Sequence, residues 1–270
     1  SLGYMNVVAL VHRLKKFQLI LEVEEIYSDV INDEKKKKQE LHFFSQADSY
    51  IFPTKLLSQV ANPYNKNEII IHGTYQVEPN RFVKKFDGVE TRIVHCVYAG
   101  TFDPRKGGAI AAVAAAEYLP ADYHIHILGF GTEKDTTYIK KTIEEISKKS
   151  AAKITYEGLL SGEEYIKFIQ SCDIGLSTQD PDADFNATSF PSKILSYLAN
   201  GLRVVSIKIP AIETSAIANK IYFYSKQTPQ DIATTILNID IDSKYDSRKL
   251  IHQLSKQFET DLRVLLEGKV

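Results

Sequence analysis

The chain has 270 residues, 44% of them hydrophobic and 25% charged, which excludes a disordered, collagen-like or coiled-coil protein. Lys plus Arg is 33 and Asp plus Glu is 34, a net charge of −1, so nucleic acid is not an expected partner. The two cysteines, Cys96 and Cys172, exclude a disulfide framework and suit buried, reduced thiols. No apolar run approaches the ~18 residues of a membrane span and no signal-peptide pattern opens the sequence, so a cytoplasmic location is expected.

In chain order, 4–17 reads as a helix, 18–23 as a strand and 32–47 as a very polar helix. Residues 48–52 and 68–72 read as two more strands. Three strands with two or three helices make a poor independent α/β domain, because so small a unit buries too little surface. Residues 1–88 are therefore expected to be the back half of a Rossmann-like domain whose front half is absent, with the weakly periodic 75–90 as a link. From Arg92 the pattern alternates. Strands are expected at 92–101, 123–129, 153–160, 173–178, 203–209 and 221–224, separated by helical segments such as the Ala-rich 107–118. Strand–helix repeats with short loops imply an α/β fold with a doubly wound parallel sheet covered on both faces. Residues 89–243 form this second domain. Within 244–270, Leu250, Leu254, Phe258, Leu262 and Leu265 share one helical face, which is expected to pack back on the N-terminal part.

Several motifs fail. Gly129-Phe-Gly131 begins a dinucleotide fingerprint, but Lys134 replaces its last glycine. Lys106 precedes glycine rather than following it, so 100–108 is no Walker A loop. Asp180, Asp182 and Asp184 open like a calcium loop, yet Phe185 stands where glycine is required. His124 and His126 share a strand face, but no third ligand is evident nearby, and no metal is expected. Lys35–Lys38 reads as a solvated helix face that could also touch a membrane surface peripherally.

Two loops survive. Gly100-Thr101-Phe-Asp-Pro-Arg105-Lys106-Gly107-Gly108 closes a strand and opens a helix. Glycines there allow close backbone approach, and the helix amides beside two bases suit an anion, although a plain turn would use the same residues. Thr188-Ser189-Phe190-Pro191-Ser192-Lys193 enters a later helix after the fourth strand. A cation in a first helical turn opposes the helix dipole, and a bound anion would remove that conflict. One diphosphate between the two loops would satisfy both.

The ordered set YAGTFDPRKGG, HIHILGFG, ITYEGLL, DIGLST and SFPSKILSYLANGLRVVS, over residues 92–240, resembles the C-terminal domain of group 1, family 4 retaining glycosyltransferases of the GT-B fold, of the type that builds bacterial polysaccharides. The resemblance implies a nucleotide-diphosphate sugar donor, a glycan or lipid-linked acceptor, and no further cofactor. It implies that Lys106 holds the diphosphate in a loop shaped by Gly100 and Gly107. It places Glu157, Gly158 and Leu159 at the nucleobase, and Ser189, Phe190 and Pro191 at sugar hydroxyls and phosphate. The family's two glutamates fall on Thr188 and Ser196, so both carboxylates are missing, and its arginine falls on Thr101, with Arg105 near. The family's active-site histidine falls near Glu24, beside Glu25. These two acids, together with Asp184 or its neighbour Asp182 as a substitute sugar contact, are the candidate catalytic groups.

The expected function is therefore metal-independent, retaining transfer of a sugar, in the cytoplasm or at the inner face of the membrane. Half an acceptor domain leaves these 270 residues open to being inactive alone. The missing glutamates favour an alternative, a non-catalytic nucleotide-sugar binding module or partner subunit. A sugar-nucleotide epimerase would need acids and a histidine converging on the anomeric carbon, and the second domain offers no such set.

Overall fold

The computed structural model describes residues 4–30, 33–81, 92–183, 186 and 188–267. Helix α1 (Met5–Lys15) stops where Lys16 turns left-handed at φ 52°, and strand β1 (Ile20–Glu22) follows. Helices α2 (Tyr27–Val30) and α3 (Glu34–Phe44) come next. Asp33 starts α3 by accepting a hydrogen bond from the Lys36 amide at 3.0 Å. Strand β2 (Ser49–Phe52), helix α4 (Lys55–Ala61) and strand β3 (Glu68–Ile70) complete this part. The three strands pair in parallel in the order β1-β2-β3 over a small core that includes Tyr50, Phe52 and Leu57.

The larger part contains β4 (Val94–Thr101), α5 (Gly108–Ala115), β5 (Tyr123–Phe130), α6 (Glu133–Ser147), β6 (Lys153–Gly158), α7 (Gly162–Ser171) and β7 (Ile174–Ser177). It continues with α8 (Lys193–Ala199), β8 (Arg203–Ile207), α9 (Pro210–Glu213), β9 (Ile221–Tyr224), α10 (Pro229–Leu237) and α11 (Arg248–Glu267). All six strands are parallel, in the order β6-β5-β4-β7-β8-β9. Every residue of β7 and β8 is buried, as a sheet covered on both faces requires. The fold class is thus α/β with Rossmann-like parallel sheets. Cys96 and Cys172 are buried thiols. Among the described residues no helix is long and apolar enough to cross a membrane.

The strand order reverses between β4 and β7, which pair only at Cys96–Ile174 and Val97–Gly175. Beyond that point the sheet opens. The Ala99 amide, which β7 does not reach, donates instead to the Tyr197 hydroxyl at 2.8 Å. Helix α8 lies close enough for this because Gly175 has no side chain: a Cβ there would stand 2.3 Å from the Tyr197 ring. Such a switch point is where ligands of doubly wound sheets bind.

Specific bonds join the two parts. The Thr54 hydroxyl accepts from the Leu57 amide, capping α4, and donates to the Thr188 carbonyl at 2.8 Å. Helix α11 crosses from one part to the other. Its Ile251 is buried in the large core, and its Leu265 carbonyl accepts from Gln18 Nε2 at 3.0 Å.

Candidate functional site

The loops leaving β4 and β7 are sewn together at the switch point. The Asp180 amide donates to the Lys106 carbonyl at 2.8 Å, and the Thr178 hydroxyl donates to the Gly108 carbonyl at 2.6 Å. Gly107 takes φ 60° as the chain turns into α5, a conformation that disfavours residues with a side chain. Lys106 is exposed at the rim. Arg105 is also exposed, but its guanidinium already pairs with Asp103 at 2.8 Å and holds that carboxyl below the usual range.

Lys193 opens α8 with Ser192 before it. Its ammonium sits 3.8 Å from the centre of the Tyr98 ring, a cation–π contact. A Cβ on Gly100 would stand 3.0 Å from its Nζ, so Gly100 leaves the space that the side chain occupies. Burial and the nearby charge of Lys106 pull Lys193 down to about 7 from the usual lysine value. Two ammonium groups close enough to oppose each other, one half-buried, form a site that gains from an anion. The sequence did not reveal Tyr98 as the platform under Lys193, since the two are remote along the chain.

The loop ahead of α8 faces the small sheet. Phe190 stacks on His72, with ring centres 4.7 Å apart and planes at 24°. His72 Nδ1 donates to the Pro53 carbonyl at 2.8 Å, and its Nε2 accepts from the Ala216 amide at 3.2 Å. Burial lowers its pKa. His72 was not singled out in the sequence; its only signal there was a place just past a strand. Pro191 shapes the entry to α8, its carbonyl accepting from Ile194. Ser189 is half-buried. Ser196 is likewise half-buried, its hydroxyl 3.0 Å from that of Tyr165.

The remaining candidates are dispersed. Glu24 and Glu25 are exposed just past β1, at the edge of the small sheet that also carries Pro53 and Thr54. Asp182 is exposed and its amide donates to Asp180. Asp184 lies outside the described residues. Thr101 is the exposed last residue of β4. Gly158 turns left-handed at φ 79°, and Leu159 is 65% exposed. A cavity of about 510 Å³ beside the β4 loop is lined by Phe102, Asp103, Gly107, Tyr138 and Asp180, and not by Glu157, Gly158 or Leu159.

Glu157 is engaged elsewhere. It accepts from His126 Nδ1 at 2.7 Å and from the Thr155 hydroxyl. Burial resists its charge most strongly, but these bonds outweigh it and its carboxyl stays below the usual range. The expectation that His124 and His126 lack a third neighbour is corrected. His95, paired with His124 in the β4–β5 register, places Nδ1 2.9 Å from His126 Nε2. Strand pairing brings them together, and pairing is not written in spacing along one chain.

Two Rossmann-like parallel sheets, the larger with a strand-order switch point between β4 and β7, are the elements of the GT-B architecture. No family model matches the chain, and no curated protein matches it in sequence. Solved structures do match in fold. Anabaena Alr3699/HepE in complex with UDP aligns with TM-score 0.63 at 13% identity, over 96% of this chain and 77% of that one. A glycosyltransferase from Rickettsia africae ESF-5 aligns with TM-score 0.63 at 14% identity, over 98% and 81%. The pneumococcal O-GlcNAc transferase GtfA in complex with UDP and GlcNAc aligns with TM-score 0.54 at 13% identity, over 95% and 55%. At these identities the likeness establishes the shared fold.

Proposed function

We propose that the chain is a glycosyltransferase that moves a sugar from a nucleotide-diphosphate donor to a glycan or lipid-linked acceptor, with retention, in the synthesis of a cell-surface polysaccharide. The observation that carries this reading is the proximity of Lys106 and Lys193 at the β4/β7 switch point of the larger sheet. Structures of the same fold hold UDP or UDP-glucose. Residues 89–243 would bind the donor, residues 1–88 would face the acceptor, and 244–270 would brace both.

In this reading the two ammonium groups and the Gly107–Gly108 backbone neutralise the leaving diphosphate, which is where charge develops. Ser189, Phe190 and Pro191 border the sugar, and Glu157, Gly158 and Leu159 the base. With Thr188 and Ser196 in place of carboxylates, a double displacement has no nucleophile at those positions. A front-face route, in which a diphosphate oxygen takes the acceptor proton, fits better. Glu24, Glu25 and Asp184 remain candidate acceptor or sugar contacts, and a membrane-borne acceptor would place the protein at the cytoplasmic face.

The second reading, a nucleotide-sugar binding module without turnover, is favoured by the same absence of carboxylates. Calorimetric titration with UDP, GDP and ADP, repeated on Lys106→Ala, tests the donor site. Selective binding of one nucleotide, weakened at least tenfold by the substitution, is the expected result. Product formation from the matching sugar nucleotide then separates enzyme from binding module. No binding of any of the three sinks both.

A further inference from the structure

We propose that His95, His124 and His126 form a binding site for one divalent transition-metal ion of the zinc class. His95 on β4 and His124 on β5 are register partners, and His126 lies two residues further along the same face. Each ring can present one nitrogen within 4.8 Å of the other two. Zinc–nitrogen bonds of ~2.0–2.1 Å in a tetrahedron place ligand nitrogens about 3.3 Å apart. The 2.9 Å between His95 Nδ1 and His126 Nε2 needs only a small spreading to admit an ion.

The groups behind these rings are those that a metal centre requires. His126 turns its Nδ1–H to the Glu157 carboxylate at 2.7 Å, which leaves Nε2 as the lone-pair nitrogen facing His95. A histidine held by a carboxylate on its far side is an oriented and more basic ligand. His124 Nε2 is likewise held by the Thr155 hydroxyl at 2.8 Å. Phe168 of α7 packs edge-on against His126 at 5.2 Å and walls the cluster on that side.

Metal binding requires that His95, now the Nδ1–H donor to His126, carry its proton on Nε2 instead. Lys153 opposes a cation here, while Glu157 offsets part of the added charge. His124 and His126 are less than one-tenth exposed and His95 is half-buried, so an ion enters past His95 and its fourth position faces that side. Three imidazoles and no thiolate also admit cobalt, nickel or copper.

The cluster lies within β4 and β5 rather than on their carboxyl-end loops. It shares one residue with the proposed donor site, Glu157, which borders the nucleobase in that reading, so the metal is tested without nucleotide. A bound ion would staple the two strands and, through Glu157, the adjoining β6.

The test is titration of chelator-stripped protein with cobalt(II) and zinc(II) chloride, with no nucleotide present. The expected result is one cobalt per chain, with the visible ligand-field bands of a four-coordinate ion, displaced by zinc. Zinc should also raise Tm in a concentration-dependent way. His95→Ala should weaken binding at least a hundredfold, and Glu157→Gln ten- to a hundredfold. Undiminished binding in His95→Ala would place the metal elsewhere and overturn the proposal, as would no binding by the wild-type chain. Should His95→Ala fail to fold, X-ray absorption of the cobalt-loaded wild type decides: three imidazole ligands support the site, and fewer refute it.

Discussion

His72 lies face to face with Phe190, 4.7 Å between ring centres, and its two nitrogens tie Pro53 of the small sheet to Ala216 of the larger part. The tautomer is set by its partners: Nδ1 carries the proton toward Pro53, and Nε2 accepts from Ala216. A second proton would confront the Ala216 amide. Burial lowers the pKa in the folded chain. The stabilisation from the neutral ring is complete above the unfolded value of about 6.5 and is lost as pH falls from there through the lowered folded value. His72→Phe retains the stacking but strands the Ala216 amide and Pro53 carbonyl. We expect a loss of ~1–3 kcal/mol in urea unfolding at neutral pH. We also expect a shallower decline of stability between about pH 7 and 5 than in the wild type. An unchanged pH slope would show that the ring does not titrate with folding.

In the proposed donor site, Lys193 should make nucleotide affinity depend on pH. Its ammonium is pulled down to about 7, and a diphosphate would raise that value by favouring the charged form. Binding should therefore take up protons near neutrality, and affinity should fall as pH rises above 7. Calorimetry in buffers of differing ionisation enthalpy measures the uptake. Lys193→Met should abolish it and weaken binding by tenfold or more, the scale of a charged hydrogen bond of ~1.5–3 kcal/mol.

Gly175→Ala places a methyl group 2.3 Å from the Tyr197 ring, in the middle of a buried strand. Helix α8 must then retreat from β7. Overpacking of this kind costs about 1–3 kcal/mol, occasionally more. Denaturant unfolding reads the cost, and a shift below about 0.5 kcal/mol would mean that α8 floats more freely than its contacts imply.

Tyr197→Phe keeps the packing and removes the one acceptor described for the Ala99 amide. A buried donor left unpaired costs ~1–3 kcal/mol. Hydrogen exchange at Ala99 should accelerate more than at Cys96, which lies within the paired stretch of β4 and β7. Equal acceleration at both would point to general loosening instead.

The parallel strands of the larger part were legible because a sheet buried on both faces needs continuous apolar runs, as in 173–178 and 203–209. The loops at their carboxyl ends followed from the same reading. Lys193 stood out because a cation in a first helical turn conflicts with the helix dipole. Helix α4 escaped, since seven residues hold too few turns to show a period. Segment 68–72 read as a strand to its end, whereas β3 stops at Ile70 and frees His72 to cross to the other sheet. Tyr98 beneath Lys193, and His95 beside His126, depend on which strands and helices become neighbours. That information lies in the tertiary fold rather than in local spacing.

Helix α11 carries one more implication, for the order in which the chain is made. The small sheet precedes every element of the large one, yet β3 is covered by the helix that follows all other described elements. On the ribosome, β3 emerges well before the helix that covers it. That face must wait as an unfinished surface through the synthesis of the doubly wound unit. A chaperone that engages nascent chains would meet it exposed, and release would coincide with the arrival of Leu265 at Gln18.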